Sequence, residues 1–154
     1  MSIFGDELAE ANGELITRII WDMEKFYDNI NIRKLITRII ELDYPLVVVA
    51  LGMQMHLAPR ILKTDGTYTA LNHLPANGII AGCTQSNYFA RVILYMILRD
   101  AMQAHPEQEL RGFVDDLSQV HRNKDAAKLI QMTAEAATTL VDGLRKAGNI
   151  ISTK

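Results

Sequence analysis

Apolar and polar positions change their period several times along this chain, and each change marks a predicted element. Residues 1–14 are short, polar and glycine-punctuated, an N-terminal tail or a short helix leading into a domain over 15–154. The run LITRIIWDM, Leu15–Met23, is rich in β-branched and aromatic residues and predicts a buried strand that ends on the acid Asp22. In DNINIRKLITRIIEL, the residues Ile32, Leu35, Ile36, Ile39 and Ile40 follow the i, i+3, i+4, i+7, i+8 rule, so a helix is expected near 31–42 with Asp28, Asn29 or Asn31 as its cap. A second helix starts near Pro45 and runs through VVVALGMQMHL to about Ala58, apolar enough to read as largely buried. Asp65-Gly66 between two short alternating runs predicts a hairpin. A long helix near 86–104, apolar on nearly every face, ends at His105-Pro106. In LRGFVDDLSQV, two apolar runs flank Asp115-Asp116, a hairpin with two acids at its turn. The last helix, about 124–147, carries Ile130, Ala134, Ala137, Val141 and Leu144 on one face, with Gly148 as its C-cap. Strands and helices mix without strict βαβ alternation, so the expected class is α+β in one domain of 154 residues.

Composition adds constraints. A chain that is 49% hydrophobic and 22% charged has the side chains for a real core. With 16 Lys+Arg against 18 Asp+Glu it lacks the basic excess of an electrostatic nucleic-acid clamp, so any such contact is local. Lys25, Arg60, Lys63 and Arg91 are scattered candidates for phosphate contacts. The single cysteine, Cys83, excludes an internal disulfide and reads as a small buried residue. With no basic-then-apolar leader, the expectation is a reducing, intracellular compartment. No apolar run approaches the ~18–20 residues that span a bilayer, so no membrane partner is expected. His56, His73, His105 and His121 form no zinc pattern and read as interface or surface residues. Gly78 and Gly82 lack the Lys-Ser/Thr of a Walker loop.

Adjacent aspartates at a tight turn repel each other, so something should compensate. A divalent cation does so, and Mg²⁺ favours one or two carboxylates plus phosphate oxygens. A third acid at the end of a neighbouring strand would complete the site, and Asp22 ends the strongest early strand.

These residues resemble a known family. Asp22 to Ile30, DMEKFYDNI, resembles motif A of reverse transcriptases, an acid with an aromatic five positions on, here Tyr27, followed by Asp28-Asn29-Ile30. GIIAGCTQSN resembles motif B, with Gly82 and Ser86 in place, while Ala81 stands for the usual Gln and Asn87 for the Pro. FVDD, Phe113 to Asp116, resembles the motif C box, usually Tyr-Ala-Asp-Asp. The hairpin between A and B and the helix after C also fall where the family has them. The nearest flavour is that of group II intron and non-LTR retroelement enzymes.

The resemblance implies a polymerase palm, a small antiparallel sheet packed on helices, without the fingers and thumb, which further chains could supply. It implies RNA-templated DNA synthesis from a primer and dNTP by two-metal nucleotidyl transfer, with two Mg²⁺ ions, or Mn²⁺, on Asp22, Asp115 and Asp116. Tyr27 would be the steric gate that favours deoxynucleotides, or simply a core aromatic beside Phe26. Asp28 is a helix cap before it is a ligand. Gly82 would let backbone approach the nucleotide, with Ser86 opening the helix behind it, and Lys154 would be the motif D lysine. The rival expectation is an inactive palm remnant serving as an RNA-binding or protein-interaction module.

Overall fold

The computed structural model describes residues 3–71, 75–113 and 116–152. His73, Asp115 and Lys154 lie outside the described residues. Along the chain the elements are α1 (Ile3–Ala11), β1 (Leu15–Trp21), β2 (Met23–Glu24), α2 (Phe26–Asn29), α3 (Ile32–Glu41), α4 (Leu46–Leu57), β3 (Arg60–Thr64), β4 (Thr67–Leu71), α5 (Thr84–Ala104), β5 (Glu109–Phe113), β6 (Asp116–Asn123), α6 (Ala126–Ala147) and β7 (Ile150–Ile151). The class is α+β. The chain divides into two compact units, residues 1–26 with 94–154, and residues 27–93, so α5 gives its first half to one and its second half to the other.

The first unit is built on an antiparallel sheet in the order β1-β6-β5. Its register pairs Thr17 with His121, Ile19 with Gln119 and Trp21 with Leu117, which puts these six side chains on one face. That face packs on α6. Several of its polar groups are hydrogen-bonded: Trp21 Nε1 donates to Gln119 Oε1 at 3.1 Å, Gln119 Nε2 donates to Gln108 Oε1 at 2.8 Å, and the Thr17 and Thr133 hydroxyls meet at 2.7 Å, whereas His121 Nδ1 is buried without a partner among the described residues. The buried side of α6 is Leu129, Ala136, Leu140 and Leu144, while Ile130 is exposed, so the helix is rotated from the face expected through Ile130 and Ala134. Asp125 caps its start and Gly148, at φ 92°, ends it as predicted.

The expected strand Leu15–Met23 breaks at Asp22. β1 stops at Trp21, and Met23–Glu24 leaves for a second pairing with Ile150–Ile151. The Asp22 carbonyl accepts the Ser152 N–H at 2.9 Å. Residues 3–11 are the short helix of the two N-terminal expectations, with Ala9 buried and Asp6 paired to Arg18 and Arg122 of the sheet.

In the second unit, α3 buries Ile32, Leu35 and Ile39, and its cap is Asn31, whose side chain accepts the Lys34 N–H at 2.9 Å. α4 buries Val49, Gly52, Met53 and His56 but exposes Leu46, Val47, Leu51 and Met55, contrary to the expectation of a largely buried helix. Gly52 sets that face: a Cβ there would overlap the Gln85 side chain and come within 3.2 Å of Phe89. Asp65 and Gly66, at φ 49° and 80°, turn the predicted hairpin, and both of its strands are exposed. α5 is not enclosed on all sides, since Tyr88, Tyr95 and Met102 lie on an open stripe with Arg91, whose guanidinium sits 5.9 Å over the Tyr88 ring. No helix among the described residues is long and apolar enough to cross a membrane.

Candidate functional site

Two of the expected acids, Asp22 and Asp116, follow and begin strands of the β1-β6-β5 sheet. Trp21 and Leu117 are the last pair of the β1–β6 ladder, and Asp22 and Asp116 are the next residues of the two segments beyond it. Both are exposed. Among the described residues no basic side chain is paired with either acid, and no cluster of three His, Cys, Asp or Glu stands together. Asp115, the third acid of the expected set, falls outside the described residues.

The sheet face that carries Asp116 also lines a cavity of about 290 Å³, floored by Ile20 and Val120 and rimmed by Arg18, Arg111 and Arg122. Its charges are internally compensated. Arg122 reaches Asp6 at 3.1 Å and Glu109 at 3.0 Å, Arg18 pairs with Asp6, and Arg111 pairs with Glu109. The Arg122 hydrogen bond, then Arg18, holds the Asp6 carboxyl below its usual range. Burial works to raise the Glu109 carboxyl, but the hydrogen bonds from Arg122 and Arg111 outweigh it and lower it. Burial alone would lower the Arg122 guanidinium, yet Glu109 and Asp6 raise it.

In the second unit, residues 78–83 form a loop ahead of α5 whose backbone is tied at three successive residues. Gly78 N–H donates to the Ile30 carbonyl at 2.8 Å, Ile79 N–H to the Tyr27 carbonyl at 2.9 Å, and Ile80 N–H to His56 Nδ1 at 3.0 Å. Ser86 is fully buried, and its hydroxyl donates to the Ile80 carbonyl at 2.5 Å. Ala81 and Gly82 are exposed at the tip. Gly82 sits at φ 83° with no atom near its absent Cβ, so left-handed backbone, not crowding by this chain, selects glycine. Tyr27 is half-buried, and its hydroxyl donates to Asn87 Oδ1 at 2.8 Å.

Sequence reasoning missed two residues of this group. His56 was expected at an interface or on the surface and is fully buried, its ring edge-on to Phe89 at 5.5 Å. Asn87 stood only as a departure from the motif B pattern, and it proves to be the partner of the Tyr27 hydroxyl. Nothing in hydrophobic periodicity signals either one, because both act through single hydrogen bonds set by the fold. Cys83, expected buried, is half-buried.

This geometry has a match among solved structures. An apo telomerase from Candida tropicalis, truncated from its C-terminal domain, superposes on 98% of this chain with a TM-score of 0.65 at 16% identity. The chain is similar in fold to part of that telomerase. It spans 34% of the length of that protein. No protein-family model and no curated protein sequence matches it. At this identity the likeness is one of fold, and it extends over both units.

Proposed function

We propose that this chain is the palm of an RNA-templated DNA polymerase of the reverse-transcriptase kind, adding dNTP to a primer 3′-hydroxyl. The observation that carries the reading is the register of the three-stranded antiparallel sheet, whose last β1–β6 pair, Trp21 with Leu117, is followed by Asp22 on one side and preceded by Asp116 on the other. The telomerase fold supports it, since telomerase is related to reverse transcriptases. So does the order of the matched motifs.

Asp22, Asp115 and Asp116 would hold two Mg²⁺ ions, or Mn²⁺. The fit rests on chemistry: two exposed carboxylates on neighbouring strand ends, free of basic partners among the described residues, offer the hard oxygens these cations take. When bound, such ions supply the charge that steadies the attacking and leaving oxygens of an in-line displacement at the α-phosphate. The chain's own residues supply position. Asn87 fixes the Tyr27 hydroxyl, so the ring keeps one orientation as a gate against a ribose 2′-hydroxyl. Gly82 offers bare backbone at the loop tip. Ser86 acts on the nucleotide through Ile80, because its hydroxyl is buried and already committed to that carbonyl.

The test is primer extension on an RNA template with dNTP and Mn²⁺, together with calorimetric metal binding by the chain and its Asp115→Ala and Asp116→Ala variants. Extension selective for dNTP and lost in Asp115→Ala is the expected result. Metal affinity unchanged by both substitutions would refute the catalytic reading, and RNA binding without metal binding would establish the inactive module in its place.

A further inference from the structure

His56 is an expensive residue where it stands. Its side chain is fully buried, and a backbone N–H can only donate, so the Ile80 contact leaves Nδ1 without a proton and places the ring hydrogen on Nε2. That Nε2 is buried with no hydrogen-bond partner in the structure. A leucine or phenylalanine would fill the same space beside Phe89 without stranding a donor. What the imidazole adds is one acceptor, aimed at the Ile80 N–H where the loop leaves the core.

We propose that His56 is a positioning residue for the 78–83 loop: its unprotonated Nδ1 and the Ser86 hydroxyl grip the N–H and the C=O of Ile80, and so fix how Ala81 and Gly82 meet an incoming nucleotide. The nucleotide half of this statement rests on the polymerase reading; the clamp itself does not. Ile79 is anchored inward, 2% exposed, and Ile80 is 40% exposed, so Ile80 is the point where the loop leaves the core. Holding both of its polar groups sets the direction of the two exposed residues beyond it.

The clamp is sensitive to protonation. A second ring proton would face the Ile80 N–H donor to donor and would bring a charge into an enclosed site. Burial first, then the field of Arg60, keeps the ring below the ordinary histidine value of 6.5. Gln85 and Phe89 of α5 and Ile80 of the loop carry no charge, and among the described residues Arg60 is the charged group whose field reaches the ring. Acid should therefore release Ile80 while Gly78 and Ile79, bonded to the Ile30 and Tyr27 carbonyls, stay protected.

The experiment is residue-resolved amide exchange by NMR on the full chain, with long-range ¹H–¹⁵N spectra to read the His56 tautomer. At about pH 7.5 the expected tautomer carries its proton on Nε2. In His56→Leu, protection of Ile80 should fall about tenfold relative to Gly78 and Ile79, the scale of one net hydrogen bond. His56→Asn, whose side-chain oxygen can replace Nδ1, should keep most of it. In the wild-type chain, acidification should deprotect Ile80 ahead of its two neighbours, a measurement that holds even if the leucine variant fails to fold. A proton on Nδ1, unchanged Ile80 protection in His56→Leu, or loss of all three amides together on acidification would each overturn the clamp. Adding dNTP with Mg²⁺ separates the two ideas: shifts at Ala81 and Gly82 support presentation to a nucleotide, while an intact clamp with no such shifts refutes the nucleotide role.

Discussion

Asp116→Asn should make the protein more stable without metal and less stable with it. The proposed site brings the Asp22 and Asp116 carboxylates to about 5 Å, where two unit charges repel by about 0.8 kcal/mol in a bulk-water dielectric. Both carboxylates are exposed, so salt reduces this further, and the relief expected from the amide is a few tenths of a kcal/mol. For a chain of this length that is a rise in Tm of about 1–2 °C in low-salt EDTA buffer. Metal reverses the order. A site with a Kd of about 1 mM gains about 1.4 kcal/mol in about 10 mM Mg²⁺, or about 3–5 °C, which the wild-type chain shows and the variant loses. The chain supplies its own probe, because its one tryptophan, Trp21, precedes Asp22 and is fixed to Gln119. Mn²⁺ bound at Asp22 should quench that fluorescence, and Asp116→Asn should weaken the quenching. A variant that is no more stable in EDTA, yet gains the same shift in Mg²⁺ as the wild type, would show that the two carboxylates neither oppose each other nor share an ion.

The remaining predictions address the core, the loop and the gate. Gln119→Met keeps the volume but removes the acceptor of the part-buried Trp21 Nε1–H and the donor to the buried Gln108, and should cost about 2–4 kcal/mol, read as a fall in Tm of about 5–12 °C. His56 and His121 are both enclosed, and burial lowers both; for His121 the Glu107 field opposes this and the His105 field adds to it. The unfolded chain therefore binds protons at these positions before the folded one does. The stability they confer is full above about 6.5 and is lost as pH falls through their lowered folded values. Thermal melts from about pH 7.5 down to 5 should show that loss in the wild type and less of it in a His56→Asn chain; a flat series would sink the argument. Removing the Tyr27–Asn87 hydrogen bond by Asn87→Ala should loosen the gate and lower discrimination of dNTP over rNTP by about 2- to 10-fold, with Tyr27→Phe giving a similar loss and the double variant no more than either.

How far each element could be read from the sequence follows from how one-sided it is. α3 alternates isoleucine and leucine with arginine and lysine at helical spacing, so its buried face of Ile32, Leu35 and Ile39 was plain, and only Ile36 and Ile40 at the margin turned outward. α4 and α5 are apolar nearly all round, and such a pattern says that a helix exists without saying which side is covered. The deciding residue in α4 is Gly52, whose missing side chain admits Gln85 and Phe89, and a lone glycine in an apolar run carries no such label. In α6 the small residues misled: Ala134 and Ala136 look alike in a pattern, but only Ala136 is fully buried, which turns Ile130 to solvent. β2 and β7 have two residues each, too few for any period to register. Motif order predicts that β1 and the hairpin carrying Asp116 pair, and the β1–β6 ladder is that pairing up to Trp21 and Leu117.

The site itself shows why a motif comparison and a geometric one weight the same residues differently. Counted as letters, the loop before α5 keeps Gly82 and Ser86 of its pattern and loses the residues at Ala81 and Asn87. Counted as bonds, Ser86 holds Ile80 from inside, and Asn87 joins the first turn of α5 to the tyrosine proposed as the gate. The Tyr27 carbonyl also takes the Ile79 N–H, so this one residue is fastened to the loop by its main chain and to the helix behind the loop by its hydroxyl. A proline at 87 could offer no side-chain acceptor, and the tyrosine hydroxyl would then need another partner or water. The departure at 87 and the aromatic at 27 are thus one arrangement. Replacing Asn87 by the family's proline should weaken the hold on the Tyr27 hydroxyl, whereas a change at Ala81, which is exposed at the loop tip, should leave it in place.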